Sequence, residues 1–342
     1  MPGPVIRKRA TGRVTLADVA AAAQVSPITV SRALRGERAV APELVKRVRA
    51  AANKLGYVPD PAARALASKH GSHVAVLIPM LSNALFVDLL EAVQRTLRPA
   101  GFQTLIGVTH YDAKEEEQLL REQLMHRPAG LLVTGLEKRS RTTQALIADS
   151  GVPCVHMMDI SFKAGVYSVG FRHAEAGAAL TRHLIARGRR RIAFVAVQLD
   201  QRTLQRLSGW RDAMTEAKSY DPALEWREPL PSSIALGARL FEEIVAKQPD
   251  VDAIFFCNDD LAQGALLAAA RLKIAVPRRI AIAGFNDLTG SDQMMPSLTS
   301  VRTPRSAIGA QAAAMLLTLM QGGQPESACI DLGFELVVRG ST

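Results

Sequence analysis

The stretch VTLADVAAAAQVSPITVSRALRG, Val14 to Gly36, decides how the N-terminal part of the chain is read. Thr15 and Asp18 stand three positions apart, the spacing at which a hydroxyl and a carboxylate cap a helix start reciprocally. Leu16, Val19, Ala20 and Ala23 then recur on one helical face. Ser26 and Pro27 predict a second start, since serine caps with its hydroxyl and proline suits the first helical position, where an N–H has no partner. Val30, Ala33 and Leu34 give that helix its buried side, and Arg35-Gly36 ends it. Pro42 opens a third helix in which Val45, Val48, Ala52 and Leu55 repeat before Gly56 stops it. Two helices joined by a short turn are the geometry that lays the second in a DNA major groove. The residues expected to face DNA are then Thr15 and Ser26 at the caps and Pro27, Ile28, Thr29, Ser31 and Arg32 on the second helix. Arg32 has the forked donor set that reads guanine, whereas Pro27 and Ile28 can only meet a thymine methyl or fill space. A three-helix protein-interaction module has the same spacing and stays open at this level.

Charge separates this segment from the rest. Of 42 Lys/Arg and 32 Asp/Glu, a net of +10, residues 1–70 hold 13 and 4, so almost all of the excess sits in the head and the remainder is near neutral. Basic side chains so concentrated are what phosphate binding needs, because each one placed on a phosphate releases condensed counterions. The length of 342 residues implies more than one core, and 48% hydrophobic with 22% charged residues excludes wholesale disorder. Apolar runs such as Val74–Leu81 are far shorter than the roughly 20 residues of a membrane span, and no apolar run follows Arg7, Lys8 and Arg9, so a cytoplasmic location is expected. Cys154, Cys257 and Cys329 are widely spaced and are expected to be small core residues.

From residue 73 the pattern changes to short β-branched runs alternating with amphipathic stretches: HVAVLIP, FQTLIGV, AGLLVTG, PCVHMMD, RIAFVAV, AIFFCND and IAIAGFND. Such alternation predicts parallel sheets covered by helices on both faces, with ligands beyond the carboxyl ends of the strands. Those ends place Met80–Asn83, Thr134–Glu137, Asp159, Gln198–Arg206, Asn258–Asp259 and Asn286–Asp287 around one candidate site. G-x-G-x-x-G, the P-loop and G-x-S-x-G are absent, and the seven histidines show no metal-ligand spacing. Asp259-Asp260 is the nearest thing to a carboxylate pair, and adjacent residues at a strand-to-helix junction generally point apart. No enzyme chemistry, cofactor or metal is expected.

The head and the following KLGYVPDPAARALAS, Lys54 to Ser68, resemble the DNA-binding head and hinge of the LacI/GalR family of bacterial transcription regulators, with T-x-x-D-V-A, V-S-x-x-T-V-S-R and G-Y-x-P-x-x-x-A-R-x-L in order. Gln24 departs from the family at a turn position usually held by glycine. If that position is left-handed, glutamine costs on the order of 1 kcal/mol there. The alanine-rich 62–67 stretch favours helix but is too short to stand alone in water, so a hinge over 59–70 is expected to order only against DNA or a partner. The resemblance implies that Arg64 lies in this hinge helix and that Leu66 is the apolar wedge entering the minor groove.

The resemblance continues through LTRHLIARGRRRIAFV, FFCNDDLAQGA and IAIAGFND. It implies an α/β fold with an all-α helix-turn-helix head, 1–58, a hinge, 59–70, and a two-lobed periplasmic-binding-protein-like core of parallel sheets flanked by helices, 71–342, that binds effector and dimerises. Carried over by position, the effector contacts are Leu81, Ser82, Asn83, Asp159, Arg202, Arg206, Ser232, Asn258, Asp259 and Asn286. Asn286 stands where relatives commonly have a sugar-binding aspartate, and Ser232 where they often stack an aromatic. An amide in place of a carboxylate removes a charge that repels acids, so a small polyhydroxy acid suits the site better than a purine or a neutral pyranose. HYDAKEEEQLL, VQLDQRT and DLGFELVVRGS are moreover similar to regulators of gluconate utilisation. The expected partners are operator DNA, gluconate or a related sugar acid, and a second copy of the chain, with no membrane. Two other classes remain open from the residues alone: an enzyme of sugar-acid metabolism with an accessory basic head, and a freestanding sugar-binding component.

Overall fold

A computed structural model describes residues 14–35, 40–58, 71–81, 84–136 and 139–342. The chain divides into two compact units, Met1–Gly71 and Ser72–Thr342. In the first, α1 (Leu16–Ala23), α2 (Pro27–Arg35) and α3 (Pro42–Leu55) bury Val19, Ala20, Ala23, Val30, Ala33, Val48 and Ala52 against one another. The expected capping box forms: the Asp18 amide donates to Thr15 Oγ1, and Asp18 Oδ2 accepts from the Thr15 amide at 2.7 Å. Ser26 caps α2 through the Thr29 amide at 3.1 Å. Gln24 is left-handed, with φ 52° and ψ 47°, and closes α1 by donating its amide to the last turn. Gly56, at φ 64°, ends α3 in the same way, with the Tyr57 amide reaching back to Ala52 O at 2.9 Å.

The second unit contains two six-stranded sheets. In chain order its elements begin with β1 (His73–Ile78), α4 (Leu85–Leu97), β2 (Gln103–Val108), α5 (Ala113–Met125), β3 (Gly130–Thr134), α6 (Arg141–Asp149), β4 (Cys154–Met157) and β5 (Tyr167–Gly170). Then come α7 (His173–Ala186), β6 (Ile192–Val197), α8 (Gln201–Glu216), β7 (Glu225–Glu228), α9 (Ile234–Lys247), β8 (Ala253–Phe256), α10 (Asp259–Arg271), β9 (Ala281–Asn286) and β10 (Thr299–Arg302). The last are α11 (Arg305–Met320), β11 (Cys329–Asp331) and β12 (Glu335–Val337). One sheet runs β11-β5-β4-β3-β1-β2 and the other β12-β10-β9-β8-β6-β7; only the β10–β12 pair is antiparallel. The chain therefore crosses between lobes after β5, β10 and β11, at the carboxyl ends of strands, which puts those ends of both sheets at the cleft. Interior strands β1 and β6 are buried along nearly their whole length, as parallel strands covered on both faces must be.

The apolar runs read from the sequence all become strands, whereas β5, β7, β10, β11 and β12 had no separate signal. They have three or four residues each, and edge strand β7, EWRE, has no apolar alternation. Cys257 is buried as expected, but Cys154 and Cys329 are only partly covered. Helices α7 and α8 approach closely through glycines: a Cβ on Gly209 would lie 1.9 Å from Ala174 O, and one on Gly177 2.5 Å from Arg206 O. This contact sets Arg206 of α8 beside His173 at the start of α7.

Candidate functional site

In the head, Ser26, Pro27, Ile28 and Arg32 are exposed, Thr29 and Ser31 are half-buried, and Thr15 spends its hydroxyl on Asp18. Ile28 keeps 65% of its surface in water, whereas Val30, Ala33 and Leu34 of the same helix are packed into the core of the head. Arg64 and Leu66 lie outside the described residues, as do Ser82 and Asn83 of the body.

In the body the cleft collects side chains from distant segments. Arg206 is 4% exposed, donates from Nη1 to the Cys257 carbonyl at 2.6 Å and Asn258 Oδ1 at 3.3 Å, and stacks 4.1 Å from the Phe285 ring centroid. Its Nε meets His173 Nδ1 at 3.3 Å, while His173 Nε2 meets the Met158 carbonyl at 2.7 Å. A carbonyl can only accept, so His173 carries its proton on Nε2 and is neutral, in keeping with burial and the Arg206 charge holding its pKa well below the usual histidine range. Burial also lowers the pKa of Arg206. Asp200 caps α8 through the amides of Arg202 and Thr203 and pairs with Arg202 Nε at 3.2 Å. Burial alone would raise the Asp200 carboxyl, but Arg202 and Arg206 outweigh it and keep the group ionised.

Asn286 Nδ2 donates to Asn258 Oδ1 at 3.1 Å, and Asn286 Oδ1 is buried without a hydrogen-bond partner among the described residues. The Asn286 carbonyl accepts from Arg305, whose guanidinium also grips Asp88 of α4 at 2.8 Å and 3.0 Å, so one side chain ties this strand end to the opposite lobe. Asp159 accepts from Gln205 of α8 at 3.5 Å. The structure thus brings together Arg202, Arg206, Asn258 and Asn286, with Asp159 facing them from the other lobe.

Other sequence-derived positions are placed differently. Both oxygens of Asp259 turn into the lobe, accepting from Ser300 Oγ and the Leu288 amide at 2.6 Å each, and burial raises its pKa to about 6. Asp260 turns instead to Ser232 Oγ at 2.7 Å, so the two aspartates do point apart and Ser232 is engaged at the base of α10. Leu81 is 59% exposed. Conversely, Tyr111, Asp112, Glu116 and Arg139 line a cavity of about 140 Å³ that shares Tyr111, Gln198 and Asp200 with the pocket of Arg202 and Arg206, and these four were not singled out from sequence. Tyr111, Asp112 and Glu116 belong to the HYDAKEEEQLL stretch, whose resemblance to regulators of gluconate utilisation does not by itself place it at the cleft, and Arg139 carries no sequence signal.

Comparison with known proteins decides the family. Residues 15–60 match the family model of bacterial regulatory proteins of the lacI family, and residues 181–342 that of the periplasmic binding protein-like domain. The chain is 54% identical to the HTH-type transcriptional regulator GntR of Pseudomonas aeruginosa over 98% of its own length and 97% of that protein's. The chain belongs to the LacI family of bacterial regulators. To GntR of Escherichia coli K12 it is 34% identical, covering 96% of this chain and 98% of the relative. Among solved structures, the transcription regulator GntR of Chromobacterium violaceum superposes with a TM-score of 0.77 at 48% identity, over 79% of this chain and 98% of that one. The lac repressor dimer bound to operator and the anti-inducer ONPF gives 0.83 at 25% identity, over 96% and 99%. As a LacI-family member the chain is a DNA-binding transcription regulator and not an enzyme, with operator DNA and a small effector as its two classes of ligand. No helix among the described residues is long and apolar enough to cross a membrane.

Proposed function

We propose that this LacI-family regulator is a homodimeric, cytoplasmic repressor of sugar-acid catabolism that leaves its operator when gluconate, or a closely related aldonate, enters the cleft. The observation that carries the reading is the buried Arg206 guanidinium, which shares Asn258 Oδ1 with the neutral amide of Asn286, where a carboxylate would repel an acid, with Arg202 lining the same pocket. The similarity to two regulators named GntR supports it. A cavity of about 140 Å³ is also well below the several hundred Å³ usual for drug-sized ligands, which suits a small effector.

In this reading residues 1–58 bind operator, 59–70 form the hinge and 71–342 bind effector and dimerise. Arg32 reads a base, Pro27 and Ile28 give apolar contact, Thr15, Ser26, Thr29 and Ser31 line the same face, and Arg64 and Leu66 act at the minor groove. Leu81, Ser82 and Asn83 act in effector binding, while Asp259 and Ser232 act by supporting the walls. Dimerisation is supported by exposed apolar side chains on each lobe: Val87 on α4, Leu105 on edge strand β2, Ile234 on α9 and Leu267 on α10. A two-fold dimer then matches a palindromic operator, one head to each half-site.

Isothermal titration of gluconate, 2-ketogluconate, 6-phosphogluconate and glucose into the full-length protein tests the effector. Binding of gluconate with none of glucose is expected. Glucose binding as tightly as gluconate, or failure of all the acids to bind, contradicts the anionic-ligand reading.

A further inference from the structure

The inner part of the cleft, bounded by Arg202, Arg206, Asn258 and Met158, leaves a space of only about 10 Å³, little more than one water fills. Tyr111, Gln198 and Asp200 line both this space and the neighbouring chamber of about 140 Å³. The two compartments differ in charge. The inner one sets two guanidiniums, Arg202 and Arg206, against Asp200, with Asp159 facing them from the other lobe, so cations and carboxylates balance there. In the outer one, among the described residues, Asp112, Glu116 and Asp200 face a single guanidinium, Arg139, which Glu116 holds bidentately at 2.5 Å and 3.1 Å.

The chamber walls are unusual in backbone as well. On one lobe His110 and Tyr111 are consecutive left-handed residues, with φ 46° and 61°; on the other Gln198 and Leu199 are, with φ 61° and 56°. Left-handed non-glycine residues are uncommon, and strain of this kind collects where side chains must be aimed at a ligand. The two turns stand on opposite walls of the same chamber.

A carboxylate oxygen of the effector suits the inner end, where it takes the place of one water beside the guanidiniums, and a neutral tail rich in hydroxyls suits the outer one, because carboxylates accept hydroxyl hydrogen bonds in charge-assisted form and a phenol adds a neutral donor and acceptor. We infer that Tyr111 and Asp112, with Gln198 and Asp200 across from them, hold the hydroxyl tail of an open-chain effector and make this regulator selective for chain length. The inference rests on the sugar-acid reading above and adds to it the extended, acyclic form of the ligand and the residues that measure it.

The test is calorimetric titration of the full-length protein with glycerate, erythronate, ribonate and gluconate, repeated for Tyr111→Phe and Asp112→Asn. Asparagine caps a helix as well as aspartate does, so the second variant keeps α5 intact. The wild-type affinity should climb about tenfold or more from erythronate to gluconate. Each variant should lower gluconate affinity about five- to tenfold and erythronate affinity less than about twofold. Equal weakening of every acid, or no weakening, overturns the assignment. If gluconate binds without any dependence on chain length, the chamber has no such role while the sugar-acid reading stands. If no aldonate binds the wild type, both fall.

Discussion

The head and the body build their sites in opposite ways. In the head every functional candidate from Thr15 to Arg32 lies within one helix-turn-helix, on the outside of a core made by neighbours three and four residues away. In the body Tyr111, Asp159, Asn258 and Asn286 come from four separate strand ends and Arg206 from helix α8, and most of them are buried. Local periodicity specifies the first kind of site, whereas only the crossover topology of two parallel sheets assembles the second. The head can accordingly tolerate changes at exposed positions with loss of recognition alone, while a change in the cleft touches packing, charge and ligand together.

The sharpest contrast comes from removing one cation in each region. Arg206→Met removes the guanidinium from the Cys257 carbonyl and leaves Asn258 Oδ1 with Asn286 alone, and effector affinity should fall by a factor of about 30 or more, by the roughly 2–5 kcal/mol typical of truncating a buried charged partner. Calorimetry checks this, and a loss below about threefold would mean that Arg206 serves packing only. Acid should act on the body next. Burial keeps His156, with a pKa of about 4, and His173 neutral in the folded state, and His73 and His183 are lowered as well. These depressed values give stability that is complete above the unfolded value near 6.5 and is lost as pH falls toward about 4. Asp259, raised to about 6, and Asp260 work the other way, gaining stability as pH falls below their raised values. Four histidines against two aspartates, among the described residues, predict a net drop, so the melting temperature should fall by several degrees between pH 7 and pH 5, read by differential scanning fluorimetry. A flat or rising profile would contradict the neutral His173 on which the Arg206 geometry depends.

In the head, Arg32→Ala should cost about tenfold or more in discrimination at one operator position and leave discrimination at the others intact, measured by binding to operator variants. Uniform weakening on all sequences would make Arg32 a phosphate contact instead. The smallest effect is expected at Gln24, whose left-handed backbone suits glycine better: Gln24→Gly should raise the stability of the head by about 1 kcal/mol, seen in chemical denaturation. A destabilised variant would show that the glutamine side chain contributes more than its backbone costs.

Much of this was legible before any coordinates. The Thr15–Asp18 capping box and the Ser26-Pro27 start follow from local chemistry and are found as read, while the left-handed backbone at Gln24, raised only as a condition by the family resemblance, is present as well. The buried strands announced themselves as β-branched runs. Arg206, Asn258 and Asn286 were placed by the rule that parallel sheets bind ligands at strand ends. Tyr111 and Arg139 were not legible, because nothing in their neighbourhoods signals that α5 and the loop after β3 meet at one chamber. Asp259 was misleading in the other direction: its position at a strand end is right for a ligand, yet Ser300 and the Leu288 amide, neighbours only in the fold, turn its carboxylate inward.

The central claim is that the cleft controls the head, and thermodynamic linkage gives its most direct test. Gluconate should be titrated calorimetrically into the free protein and into its operator complex. The account predicts weaker binding to the complex, by the same factor by which saturating gluconate weakens operator binding. Equal gluconate affinity in both titrations would contradict it.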